Sequence, residues 1–106
     1  MEVTGKIMEY EHENGEAYRL LFGLECVTLE CLSGLAAGSI RTMSCGASEI
    51  ESNVLFIGWL EEDRDAVSIV ADLEKKKLHG WHLNQGGRNF WRGTINSFID
   101  APIKDA

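Results

Sequence analysis

The chain has 106 residues, a length typical of one domain with a single modest hydrophobic core. Its formal net charge of −7 disfavours a nucleic-acid backbone or an anionic membrane as the partner. No apolar run approaches the length of about 18 residues that a membrane span needs, and no basic segment precedes an apolar one near the N-terminus. We therefore expect neither membrane insertion nor export.

The three cysteines indicate a reducing compartment. Cys26, Cys31 and Cys45 are odd in number and lack the Cys-x-x-Cys spacing of redox and metal motifs. We therefore expect a cytoplasmic location, in which these thiols act as small apolar groups on strand faces.

Short apolar segments follow one another along the chain, and clusters of Gly, Asn, Asp and Ser separate them. We predict eight strands, over residues 4–12, 16–22, 25–32, 38–45, 53–61, 66–73, 76–83 and 89–99. The turn chemistry predicts turns at 13–15, 33–34, 46–48, 62–64 and 85–87. A helix is an alternative only around 67–77, where the β-branched residues favour a strand.

The connections between these strands are short, which favours antiparallel neighbours, because a parallel crossover needs about a dozen residues or more. Eight antiparallel strands in chain order predict an all-β fold, a small closed up-and-down barrel of the lipocalin or calycin type that can hold one small ligand. A two-sheet sandwich is the main alternative. We assign residues 1–100 to this domain and residues 101–106 to a flexible C-terminal tail.

The fifth predicted strand is the most informative segment of the chain. Alternate residues of a strand point the same way, so Leu55, Ile57, Trp59 and Glu61 share one face. A carboxylate that ends an apolar face lies either at the rim of the protein or at the floor of a pocket, and periodicity alone favours the rim. In a pocket, desolvation would make the carboxylate a usable acid or base.

The opposite face of the same strand is also apolar. Val54 and Phe56 occupy positions that alternate with the first set, whereas a solvated outer face should be polar. We therefore expect a homodimer that covers the outer side of these two residues, with the C-terminal segment as the alternative cover.

Several motifs, taken in order, resemble those of the bacterial phenolic acid decarboxylases. Residues 5–18 contain a Gly-Lys, a tyrosine, an Asn-Gly turn and a further tyrosine, similar to the opening of that family. Residues 59–61 (Trp-Leu-Glu), followed by Val67, are similar to its Trp-Thr-Glu and later Val, and residues 77–80 (Lys-Leu-His-Gly) echo a third motif. The same calycin-like barrel, with a Trp-x-Glu strand end, is shared by the MoaF-like proteins (molybdenum cofactor biosynthesis protein F-like), whose short length this chain matches better.

The resemblance implies a cofactor-free lyase. In that family a tyrosine pair and an arginine orient a hydroxycinnamic acid, and a glutamate takes part in the proton transfer that precedes loss of carbon dioxide. By position, Glu61 corresponds to the glutamate, Tyr10 to the first tyrosine and His12 to the second. The family arginine falls on Ser39, and Arg41, which shares the face of Ser39, could substitute for it.

The departures at two of these four positions leave two functions open. Loss of the arginine is the more serious change, because a guanidinium offers a permanent, bidentate partner for a substrate carboxylate. We favour a barrel that binds a small aromatic or unsaturated organic acid without the full decarboxylase machinery. The alternative is a cofactor-free lyase or isomerase with Glu61 as acid or base and with Tyr10 and His12 as orienting donors.

The expected substrate-binding set comprises Ser39, Arg41, Trp59, Ile57 and Tyr18. By the resemblance, Ser39 stands at the position of the arginine that holds the substrate carboxylate, and Arg41 could take over that contact. The other three side chains would line the lumen beside the catalytic positions.

The histidines do not form a metal motif, and two of the tryptophans are assigned a packing role. His12, His79 and His82 do not have the spacing of a known zinc motif, so we expect neither a metal nor a cofactor. Trp81 and Trp91 are expected to face each other across the last pair of strands as a packed aromatic pair.

Overall fold

The structure, a computed structural model, describes residues 1–102. Eight antiparallel strands make up the fold: β1 (Lys6–His12), β2 (Ala17–Gly23), β3 (Cys26–Cys31), β4 (Ile40–Glu51), β5 (Val54–Leu60), β6 (Ala66–Asp72), β7 (Lys77–Asn84) and β8 (Gly87–Asp100). Each strand pairs with its neighbour in sequence, and β8 pairs with β1. This closure confirms the predicted all-β barrel and excludes the sandwich, because a sandwich keeps two separate sheets.

The strand boundaries agree with the predicted ones to about two residues, apart from the end of β4. The predicted turn at 46–48 is wrong, because β4 continues to Glu51 and those residues pair with β5. The chain turns at Ser52 and Asn53 instead, and Asn53 adopts a φ of 62°. Asparagine tolerates this left-handed conformation, whereas small residues such as Gly46 are compatible with an extended strand. The helical alternative around 67–77 is also excluded, since β6 is a strand.

One hydrophobic core fills the barrel, because every second residue of a strand points inward. In β5, Leu55 and Ile57 are fully buried, whereas Phe56 and Leu60 point outward and are exposed. The largest fully buried side chains come from six of the eight strands: Met8, Leu20, Val27, Leu55, Ile57, Ile69 and Leu78. The packed interior therefore leaves room for a ligand only toward the ends of the barrel.

The two tryptophans of the last hairpin lie on opposite faces of the sheet. The register places Trp91 opposite Gly80, and Trp81 opposite Phe90. The predicted Trp81–Trp91 pair is therefore wrong, because an offset of one residue moves a side chain to the other face. The ring of Trp91 lies over Gly80, where an added Cβ would come within 2.3 Å of a ring carbon.

The two ends of the described chain meet beside β1, where the Ala101 amide donates to the Gly5 carbonyl over 2.7 Å. Most of the predicted tail, 101–106, falls on residues 103–106, which lie outside the described residues. Between residues 1 and 102, no helix has the length and apolar character needed to cross a membrane.

Candidate functional site

A small pocket of about 140 Å³ opens at the end of the barrel where β5 finishes. Its lining combines aromatic rings with ionisable groups: Tyr10, His12, Tyr18, Leu29, Arg41, Trp59, Glu61, Val67, His82 and Trp91. Most of the predicted site residues therefore come together here. Ile57 does not line this pocket, because it lies one inward position deeper and is fully buried in the core.

Glu61 is enclosed rather than solvated. Its carboxylate accepts a hydrogen bond from the Arg41 guanidinium and another from Trp59 Nε1, the latter at 3.3 Å, and its side chain is only 9% exposed. The turn after β5 holds its backbone, since its amide donates to the Asp65 carbonyl over 2.7 Å. Periodicity alone favoured the rim, but the carboxylate lies in the pocket wall.

Arg41 and Ser39 have separate locations, although they are two residues apart. Arg41 lies at the start of β4, where its half-exposed side chain reaches Glu61. Ser39 precedes the strand on an exposed loop, its carbonyl accepts a hydrogen bond from the Cys31 amide, and it does not line the pocket. The strand alternation invoked for these two residues fails because Ser39 is outside β4.

Aromatic rings form one wall of the pocket. The His12 ring stacks on Trp91 with their centroids 4.0 Å apart and their planes at 16°. Tyr10 stacks beside Trp91 at 6.0 Å and beside Tyr18 at 5.6 Å. Stacking of this kind limits the orientations of each ring, so the wall presents a defined apolar surface.

Burial sets the protonation of this wall. It raises the pKa of Tyr10, and burial together with a hydrogen bond to Glu16 raises the pKa of Tyr18 to about 12. Burial lowers the pKa of His12, against the opposing effect of Glu16 and Glu13. Near neutral pH both tyrosines therefore keep their protons as donors, and His12 is uncharged.

A second ionisable pair was not predicted. His82 Nε2 lies 3.1 Å from Asp65 Oδ2, and the Asp65 side chain is 15% exposed. The sequence carried a signal for His82. Alternate strand residues share a face, and His82 lies two residues after Gly80 and four after Leu78, both of which are buried. Among residues 1–102, no group of three or more His, Cys, Asp or Glu side chains is placed to hold a metal ion.

Comparisons with known proteins agree with this architecture. A family model described as MoaF-like matches residues 4–96. The crystal structure of a candidate beta-lactamase from Burkholderia vietnamiensis superposes with a TM-score of 0.80 at 15% identity, covering 91% of this chain and 95% of that one. At this identity the likeness shows a shared fold. No curated protein matches the chain.

Proposed function

Because the chain belongs to the MoaF-like family, as the match over residues 4–96 shows, we propose that it is a small-molecule-binding barrel of that type. The observation that carries the proposal is the enclosed carboxylate of Glu61, which Arg41 and Trp59 hold in the wall of an aromatic pocket. Arg41 is the polar group of this wall that a ligand carboxylate would contact, while the apolar walls supply contact area.

The ligand that we propose is a small aromatic or unsaturated organic acid. The aromatic side chains of Tyr10, Trp59 and Trp91 line the pocket and offer apolar contact area to a conjugated ligand. Among residues 1–102 the Tyr10 side chain makes no hydrogen bond, so its hydroxyl can donate to a ligand oxygen. The pocket volume of about 140 Å³ is below the roughly 300 Å³ or more typical of drug-sized ligands, which favours a small molecule.

The proposal does not include the full decarboxylase machinery. The arginine in the pocket lining, Arg41, already pairs with Glu61, and Ser39 lies outside the pocket. A guanidinium engaged by a protein carboxylate binds a second carboxylate less strongly, because its charge is already neutralised. This arrangement favours binding over a reaction that depends on an arginine clamp.

The alternative function is that of a cofactor-free lyase or isomerase acting on such an acid. Glu61 would be its acid or base, and Tyr10 and His12 its orienting donors. The Tyr10 hydroxyl favours this alternative, because Tyr10 lines the pocket and burial raises its pKa, so it keeps a proton to donate near neutral pH.

Thermal shift against cinnamate, p-coumarate, ferulate and benzoate tests the proposal, since a ligand at about 100 times its Kd adds about 2.7 kcal/mol of stability. We expect at least one acid to raise Tm, without loss of the p-coumarate absorbance on incubation. Glu61→Gln should tighten the binding of that acid, because Arg41 loses its internal partner. Glu30→Gln, the same change on the outer surface, should leave the affinity unchanged.

The results separate the two functions. Loss of absorbance with the unmodified protein, abolished by Glu61→Gln, would establish the lyase. Absence of any shift with all four acids would contradict the choice of ligand class.

We also propose that the chain forms a homodimer and resides in the cytoplasm. Phe56 is 47% exposed on the outer face of β5, next to the half-buried Val54, and a partner would cover both. The free thiols of Cys26, Cys31 and Cys45 suit a reducing compartment. Light scattering should give twice 11.8 kDa for the unmodified chain and a lower mass for Phe56→Ser.

A further inference from the structure

The outward side chains of the last hairpin form an exposed surface of cations and aromatic rings. The strand register sets them in four facing pairs, and all eight residues are exposed. We name this set the β7–β8 outer face, and it comprises Lys77 with Thr94, His79 with Arg92, Trp81 with Phe90, and Leu83 with Arg88. It lies on the outside of the barrel, so it is separate from the pocket.

The charge of this face is opposite to that of the chain. None of its eight residues is acidic, although the chain carries a net charge of −7. Lys6, Arg19 and Arg41 each pair with a carboxylate. Within the part of the chain that the structure describes, the cations of the β7–β8 outer face form no such pair.

The centre of the face is aromatic. Trp81 is 41% exposed and Phe90 50% exposed, and their rings meet edge to face with centroids 5.2 Å apart. The Arg88 guanidinium lies 5.9 Å from the centre of the Trp81 ring. Aromatic residues and arginine are the types enriched at protein interfaces and among the residues that dominate binding energy.

A groove of about 320 Å³ adjoins one end of the face. Lys77 and Arg92 supply cationic donors to its walls, Thr94 supplies a hydroxyl, and His79 adds its imidazole ring. Glu13 is the one carboxylate in its lining. A single side-chain carboxylate from another protein would therefore meet several donors there.

We propose that the β7–β8 outer face docks an acidic segment of a partner protein. A carboxylate of that segment enters the groove beside Lys77 and Arg92, and an adjacent apolar side chain packs on Trp81 and Phe90. Complementary charge is what selects such a partner, because opposite potentials steer association and like charges oppose it.

Two other occupants fit the face less well. A second copy packed about a two-fold axis would bring the cations of one copy against the same cations of the other. Single-stranded nucleic acid needs open ring faces for its bases. Phe90 meets the Trp81 ring at 66° rather than in one plane, so the two rings do not form a stacking platform for successive bases.

Fluorescence anisotropy with labelled random copolymer of glutamate and tyrosine, titrated with the full chain, tests this surface. We expect saturable binding at about 0.05 M salt that weakens strongly at about 0.5 M. Polyglutamate should bind more weakly, because it has no apolar side chain for Trp81. The double variant Arg88→Ser/Arg92→Ser, and separately Trp81→Ala, should each lower the affinity by about tenfold or more.

The matched control is Arg64→Ser/Lys75→Ser, which removes two exposed cations elsewhere and so has the same net charge as Arg88→Ser/Arg92→Ser. It should change the affinity by less than about threefold. Melting temperatures of all variants check that each one is folded.

Three results would overturn the proposal. An equal loss in both double variants would show that only net charge matters. Oligothymidylate binding that is tighter than copolymer binding and sensitive to Trp81→Ala would assign the face to nucleic acid. Failure of the copolymer to bind would also contradict it, and a light-scattering mass that falls with Trp81→Ala would then assign the face to a second copy.

Discussion

Two arginine clusters on the same barrel have similar chemistry and different settings. On the outer surface, Arg19 lies directly opposite Glu9 on β1 and Glu30 on β3, and its guanidinium bonds to both, at 3.2 and 2.8 Å. All three side chains are about one-third exposed or more. At the pocket, Arg41 pairs with Glu61, whose side chain is 9% exposed.

The difference between the two ion pairs shows which of them cross-strand pairing alone can explain. The outer cluster needs only the cross-strand register, which places opposite charges side by side. The inner pair joins the start of β4 to the residue after β5, and the pocket walls cover its carboxylate. Enclosure, rather than the presence of an ion pair, makes Glu61 a candidate for function.

The largest expected effect comes from the aromatic wall beside the inner pair. Gly80→Ala should lower the free energy of unfolding by about 1–3 kcal/mol, because the added methyl overlaps the Trp91 ring and displaces it. Gly46→Ala is the matched control, since an added Cβ there meets nothing within 4 Å. Urea denaturation measures both, and equal stability of the two variants would contradict the close packing of Trp91.

The second largest expected effect on stability comes from removing the charge of the Glu61 carboxylate. Glu61→Gln should cost about 1 kcal/mol of stability, because Arg41 loses a charge-assisted partner while remaining half exposed itself. Glu30→Gln should cost less than about 0.5 kcal/mol, since Arg19 keeps Glu9 as a second partner. Denaturation curves at neutral pH compare the two, and a larger loss at Glu30 would reverse the comparison.

Double-mutant cycles at several salt concentrations compare the coupling energies of the outer and inner ion pairs. The coupling energy of Arg19 with Glu30 should be about 0.2–1 kcal/mol and should shrink as salt is added, because both partners are solvent-accessible. The coupling of Arg41 with Glu61 should be less sensitive to salt, because the carboxylate is enclosed. Identical salt dependence of the two cycles would show that enclosure has no energetic consequence.

The smallest expected effect on stability comes from a change of pH. The folded protein lowers the pKa of His12, so the unfolded chain binds more protons between that lowered value and the ordinary value of about 6.5. Stability should therefore fall as the pH decreases through about 6.5 and level off below the folded-state pKa. Melting temperatures of the unmodified chain and of His12→Gln measure this, with the exposed His79→Gln as control. A slope that persists unchanged in His12→Gln would assign the effect to other groups.

Much of the fold could be predicted because its causes are local. Turn chemistry at residues 13–15 and 62–64 and short connections were enough to predict antiparallel neighbours, and eight of them favoured a closed barrel. The end of β4 could not be predicted from such cues. Gly46 by residue type favours a turn, and the pairing with β5 overrode that local preference.

Part of the site could be predicted from alternation along single strands and from the family resemblance. The resemblance placed Tyr10 and Glu61 among the candidate residues, and alternation along the fifth strand added support for Glu61. The structure brings both side chains into one pocket. Ser39 was included because the resemblance places the family arginine at its position, but Ser39 lies on the loop ahead of β4 and does not line the pocket.

The sequence by itself determined the all-β class and the succession of strands, because hydrophobic period and turn residues are properties of neighbouring positions. Only the tertiary structure decided that Arg41 meets Glu61, that Asp65 meets His82 and that Trp91 lies against His12. Each of these contacts joins residues far apart in the chain. Their distances depend on barrel closure and on the register of every strand between them, which no local pattern specifies.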